Sequence, residues 1–358
     1  MNSRVKKVVV EMRQQNIDQL IVCDPSSIDY LIGYQNDPGE RMYVLLLSQN
    51  NEHTLFMNRL FYLNKDLDID IVWFDDTDDY VKILSQYIKG DGCIGVDKFW
   101  NAKFLLPLMD YLPQTKFILG SQCVDFIRMV KDAEEQQYMI KSSQINDLAV
   151  DKMIELVALG KYSEKEVAEK LATIYKELGA DDNSFLPIVA YGENCADNHH
   201  MGDDTLIQPG DSIIIDMGCY YHGYCSDMTR TVFYKKVSDE QRRVYELVKK
   251  ANEAAEGMIK PGVRLCDIDK CARDIIKEGG FIAEFNHRLG HFIGRDVHEY
   301  GDVSANFDMP VKEGMIFSIE PGVYIKGDFG VRIEDLVLVT KDGCKVLNSY
   351  SKDLKVVG

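Results

Sequence analysis

Residues 212–227 read SIIIDMGCYYHGYCSD. Ser212 to Ile215 is a buried-type apolar run, and it closes on a carboxylate, Asp216. Eleven residues later a second strand-like arm arrives at Asp227, with His222-Gly223 as a turn signal between the arms. A hairpin of this kind would set Asp216 and Asp227 side by side. The same design recurs near the carboxyl end. Met315 to Ile319 is an apolar strand closing on Glu320, Gly327-Asp-Phe-Gly330 turns the chain, and Val331-Arg-Ile333 leads to Glu334. Between the two pairs lies HRLGHFIGRDVHE, which carries His287, His291 and His298.

Taken alone, an Asp at a strand end is ordinarily a turn or cap residue. A Glu before Pro is ordinarily surface, and a lone His is ordinarily a satisfied core or surface residue. Together the acids pose an electrostatic problem, because four carboxylates in apolar strands cannot all stay ionised and buried without partners. Two divalent cations would neutralise Asp216, Asp227, Glu320 and Glu334, with His291 as the nitrogen ligand. Oxygen-rich donors with a single imidazole suit Mn²⁺ or Co²⁺, with Zn²⁺ a further option, better than thiolate-loving ions. Two metals about 3.5–4 Å apart can share a hydroxide and clamp a carbonyl oxygen.

Around these strands the chain organises into two domains, predicted at residues 1–125 and 126–358. The first third alternates helix-like and strand-like segments: a helix over 3–16, then strands near 18–23, 42–47, 53–57, 69–74, 93–96 and 116–119. It contains no GxGxxG and no P-loop. Beyond it, Asp132 with Glu135 forms a capping-box pattern that opens a long helix ending before Gly160. Ser163 with Glu166 and Ser238 with Gln241 open two more. A fourth helix is predicted from Asp267 to Lys277. The fold class is therefore α+β, with helices packed over antiparallel strands, preceded by a smaller α/β domain.

Composition narrows the function. The 358 residues are 46% hydrophobic and 28% charged, with a net charge of −17. That balance argues against nucleic acid and against an anionic membrane surface. No apolar stretch approaches a membrane span or a signal h-region, so the cytoplasm is the expected location. Nine scattered cysteines without a CxxC pair read as reduced, mostly buried thiols. Cys219 and Cys225 suit a hairpin better than a zinc site.

The segments DMGCYYHGYCSDMTRTV, HRLGHFIGRDVHEYG, FSIEPGVYI and GVRIEDLVLVT closely resemble the motifs of Xaa-Pro peptidases. These are the prolidase and aminopeptidase P members of the pita-bread metallopeptidase family. The resemblance spans the whole second domain, and the first matches the family's creatinase-like extension. It implies that Asp216, Asp227, His291, Glu320 and Glu334 are the metal ligands, with Asp227 and Glu334 bridging. It implies a bridging hydroxide as nucleophile and Glu320 as proton shuttle. His298 would stabilise the oxyanion, and His199 would help form the substrate pocket. Arg332 would bind substrate or orient a neighbouring acid, and His287 matches a pocket histidine of some members. The implied substrate is a small peptide with proline second, and the implied assembly a homodimer. His200 and His222 read as surface or turn residues. Phe292, Gly301 and Asn198 depart from the common pattern and touch pocket shape, not the metal set. The alternatives are a methionine-type or other aminopeptidase on the same fold, or a non-enzymatic binding protein.

Overall fold

The structure, a computed structural model, describes residues 3–63 and 66–358. It divides into two compact units, one ending at Ile127 and the other running from Arg128 to Gly358.

The first unit is built on a six-stranded mixed sheet. Its order is Asp70–Phe74, Thr54–Asn58, Val44–Ser48, Gln19–Val22, Cys93–Val96, Lys116–Leu119. Side chains alternate across the central strands. Leu45, Leu47, Leu55 and Met57 join Val8 and Met12 of the helix Ser3–Gln14 on one face. Val44, Leu46 and Phe56 join Leu84 and Leu108 from helices Tyr80–Ser85 and Ala102–Tyr111 on the other. Both faces are covered, which is why these strands read as unbroken apolar runs.

In the second unit, three helices start at the predicted capping boxes: Ala133–Ala158 behind Asp132, Glu164–Leu178 behind Ser163, and Asp239–Met258 behind Ser238. The fourth, Leu265–Glu278, starts two residues earlier than predicted. The helices pack on a four-stranded sheet ordered Val356–Val357, Met228–Tyr234, Ser212–Met217, Ile188–Tyr191. Ile213, Ile215 and Met217 turn toward Met153, Val157 and Leu171 of the helices. The two-residue period therefore sends Ile214 and Asp216 to the opposite face, where the acids collect.

The predicted hairpin is more elaborate in detail. Ser212–Met217 pairs antiparallel with Met228–Tyr234, with Thr229 opposite Asp216. The intervening residues form a separate small hairpin, Cys219–Tyr221 against Tyr224–Cys225. Its turn has His222 at φ 51° and Gly223 at φ 74°, the two positive values a tight primed turn requires. At the carboxyl end Ile316–Ile319 pairs with Asp335–Val339, Ile319 opposite Asp335. One step further, Glu320 faces Glu334. No helix among the described residues is long and apolar enough to cross a membrane.

Candidate metal centre

The acids converge where the strands end. Asn252, fully buried in the helix Asp239–Met258, donates through Nδ2 to the carbonyls of Ile319 (2.9 Å) and Ile333 (3.4 Å). One side chain thus pins the two residues that precede Glu320 and Glu334. His291 enters from the short ladder Gly290–His291 against Asp302–Val303. Its backbone N–H donates to Ser318 Oγ (3.1 Å), and a Cβ at Gly290 would lie 1.9 Å from the Ser318 carbonyl oxygen. Only glycine permits that approach.

His291 Nε2 then lies 3.6 Å from Asp227, 3.7 Å from Glu320 and 3.9 Å from Glu334. Ligand atoms of Asp227, His291 and Glu334 all fall within 4.8 Å of one another. Asp216 reaches the same cavity of about 340 Å³, held by Arg332 Nη2 at 2.6 Å. Arg332 is almost fully engaged: Nη1 donates to Tyr324 (2.9 Å) and Nε to Thr229 Oγ1 (3.0 Å). Thr229 passes the interaction on, its hydroxyl donating to Glu334 Oε2 (2.8 Å).

The donor set fits divalent cations on a direct observation. Asp216 Oδ1, Asp227 Oδ1 and Glu334 Oε1 are buried and accept no hydrogen bond, whereas buried carboxylate oxygens ordinarily find donors. Burial, with Glu334 and Asp216 beside it, pushes the Asp227 carboxyl well above the usual carboxylate range. Burial and the neighbouring Glu320 do the same to Glu334. Burial also moves His291 far below its ordinary value, so the ring is neutral and has a lone pair to give.

His298 packs edge-on against His291, ring centroids 4.2 Å apart, and burial lowers its proton affinity too. His199 and His287 line the same cavity. His287 is pushed down to about 3 by burial and then by Arg332. Its partners define its state: Nδ1 donates to the Arg288 carbonyl (2.7 Å), and Nε2 accepts from the Tyr324 hydroxyl (3.0 Å), itself an acceptor from Arg332. Thus all nine residues that the sequence offers for the site, His287 included, line one cavity. The sequence reading misses Thr229, Tyr324 and Asn252: the first two stand inside quoted segments, but nothing local marks a hydroxyl or an amide as a partner of distant ligands. His200 is a correction. It is no surface residue but a partner of the buried Glu164 carboxylate.

Glu164, His200 and Asp203 form a second acid-histidine group. Here both oxygens of the buried Glu164 carboxylate are filled. Oε1 accepts from Tyr191 N (2.7 Å) and Asn194 Nδ2 (3.0 Å), and Oε2 meets His200 Nε2 (2.7 Å) and Asp203 N (3.1 Å). It anchors the segment 191–203, which carries Asn198 and His199 to the cavity.

Residues 137–341 match the model of metallopeptidase family M24, and residues 4–130 that of the creatinase/prolidase N-terminal domain. The chain belongs to metallopeptidase family M24. It is a prolidase-type, pita-bread peptidase, and membership implies divalent metal at this site. It is 33% identical to an Xaa-Pro dipeptidase of Pyrococcus horikoshii over 99% of both chains. A prolidase from Thermococcus sibiricus superimposes with a TM-score of 0.93 at 33% identity, covering 100% of both. An X-Pro aminopeptidase of Thermotoga maritima does so at 0.86 with 28% identity, covering 99% of both.

Proposed function

We propose that this M24 peptidase hydrolyses the bond between an amino-terminal residue and proline, using two divalent cations held by Asp216, Asp227, His291, Glu320 and Glu334. The observation that carries the metal assignment is the set of three orphaned carboxylate oxygens around one neutral imidazole. Manganese suits this oxygen-rich set, as cobalt would. When bound, such ions acidify water and polarise a carbonyl. The proline preference is supported by the resemblance to Xaa-Pro dipeptidases and prolidases. The same reading carries a cytoplasmic location and a homodimer.

The chain's own groups have distinct tasks. Glu320 has the most open side chain of the four acids, 16% exposed against 13%, 6% and 2% for Asp216, Asp227 and Glu334. It is the one that can take a proton from the attacking water and hand it to the proline nitrogen. His298, neutral, donates an N–H to the oxyanion as the carbonyl becomes tetrahedral. His199 lines the substrate side. Arg332 fixes Asp216 and, through Thr229, Glu334, which leaves it to orient ligands more than to meet substrate.

A Mn²⁺-supplemented assay tests this with Leu-Pro, Leu-Pro-Gly and the proline-free Leu-Ala. Turnover confined to the proline peptides is expected. Equal hydrolysis of Leu-Ala would refute the proline preference.

A further inference from the structure

The strands that carry Glu320 and Glu334 are held from behind by a largely buried network of four charges, Arg230, Asp335, Lys352 and Glu256. Arg230 donates through Nη1 to the carbonyl of Glu334 (2.7 Å) and through Nη2 to Asp335 Oδ1 (2.7 Å) and the Tyr350 carbonyl (2.8 Å). Lys352 Nζ lies 2.9 Å from the other Asp335 oxygen, Oδ2. It also donates to both oxygens of Glu256 (2.9 and 2.8 Å) and to Asn252 Oδ1 (2.7 Å). Two cations thus meet two carboxylates, and the charge is balanced within the fold. Lys352 stands in the carboxyl-terminal segment, between the strands Cys344–Val346 and Val356–Val357. Strand pairing fixes both ends of that stretch, with Val346 opposite Val337 and Val356 opposite Phe233.

The bond to Asn252 is the one that reaches the metal centre. A side-chain amide is nearly symmetric in shape and can sit either way round. Only one way lets Nδ2 donate to the carbonyls of Ile319 and Ile333. In the other, Oδ1 would face those two carbonyl oxygens and Nδ2 would face an ammonium. Lys352 has donors and no acceptor, so it makes the second way repulsive at both ends. Among the described residues no other group donates to Asn252 Oδ1. We propose that Lys352 is a positioning residue of the metal centre: by donating to Asn252 it fixes the amide that holds the backbone before Glu320 and Glu334. A residue of the carboxyl-terminal segment thereby sets how tightly the cations are held. A purely structural role would cost stability alone.

The inference rests on the metal reading, so the test starts with Co²⁺ binding to the metal-free, full-length wild type. No uptake there would sink that reading, and this inference with it. Glu256→Gln keeps the bond between Lys352 and Asn252. Its melting temperature should fall, with Co²⁺ affinity and the visible absorption band unchanged. Lys352→Met/Glu256→Gln breaks the bond and keeps the charge balanced. It should bind Co²⁺ about 10-fold more weakly or worse, the cost of losing a partner that orients a metal ligand. Its absorption band should change, and kcat for Leu-Pro should fall by a larger factor than KM rises. In an Asn252→Ala background the same two substitutions should weaken Co²⁺ binding no further, because the link they break is already gone. Equal Co²⁺ affinity and spectrum in Glu256→Gln and Lys352→Met/Glu256→Gln would overturn the assignment. So would a further loss in the Asn252→Ala background. Failure of Lys352→Met/Glu256→Gln to fold, with Glu256→Gln folded, would make Lys352 structural and overturn it as well.

Discussion

Each unit of this protein buries carboxylates at strand ends, and the two units treat them in opposite ways. In the first, Asp97 follows the strand Cys93–Val96 and is 7% exposed. Its Oδ2 accepts from the backbone N–H of Cys23 (3.0 Å) and Asp24 (3.1 Å), and its Oδ1 from Phe99 N (3.1 Å) and Ser121 Oγ (3.3 Å). In the second, Asp227 is 4% exposed, with Oδ1 unpaired and Glu334, Asp216 and Glu320 as neighbours. Burial does not distinguish them. Supply of donors does: Asp97 is solvated by its own fold, whereas Asp227 is left for a cation to complete.

The sharpest way to break this comparison is to remove the charge from each. Asp227→Asn should lower kcat/KM by more than about 100-fold, the range already reached by losing a partner one shell further from a metal. In EDTA its melting temperature should not fall, because a crowded, unpaired charge has gone. A clear drop in EDTA would mean that Asp227 is structural after all.

Glu299 tests the intermediate case, since it neighbours His298 yet is well supplied. Arg128 Nη2 (2.6 Å) and Lys131 Nζ (3.1 Å) donate to it. Against the burial that would raise it, these cations hold its carboxyl down to about 2. A depressed folded value stabilises the protein above the unfolded value of about 4.3, and that gain is lost as pH falls toward 2. The expected contribution is ~3 kcal/mol at neutral pH. Urea denaturation between pH 3 and 7 should show Glu299→Gln losing this part of the pH dependence. An unchanged slope would contradict the ion-pair account.

Asp97→Asn should cost about 1–3 kcal/mol of stability, because one oxygen that accepts becomes a group that donates. Turnover per folded molecule should be unchanged, and lost metal content would blur the contrast. Smallest of all, Glu164→Gln should alter the segment that carries His199. A few-fold rise in KM is expected, and its disappearance in a His199→Ala background would show that the effect passes through that histidine.

What could be read in the sequence follows from locality. The strands closing on Asp216, Glu320 and Glu334 were legible because an acid after an apolar run is anomalous within a few residues. The capping boxes at Asp132, Ser163 and Ser238 were legible for the same reason. The residues that arrange the ligands were not. Asn252 reaches Ile319 across 67 positions, Thr229 reaches Glu334 across 105, and Tyr191 reaches Glu164 across 27. An asparagine or a threonine carries no sign of a partner so distant. His200 reads as exposed because it stands in a polar stretch, Asp197 to Asp204, and the acid that covers it lies 36 residues away at the start of the helix Glu164–Leu178.

Metal content per chain is the most direct measurement. After Mn²⁺ loading and dialysis, elemental analysis should find two ions per wild-type chain and fewer in Asp227→Asn, with Asp97→Asn matching the wild type. No stoichiometric metal in the wild type, or full occupancy in Asp227→Asn, would contradict the claim that the unpaired acids exist to hold cations.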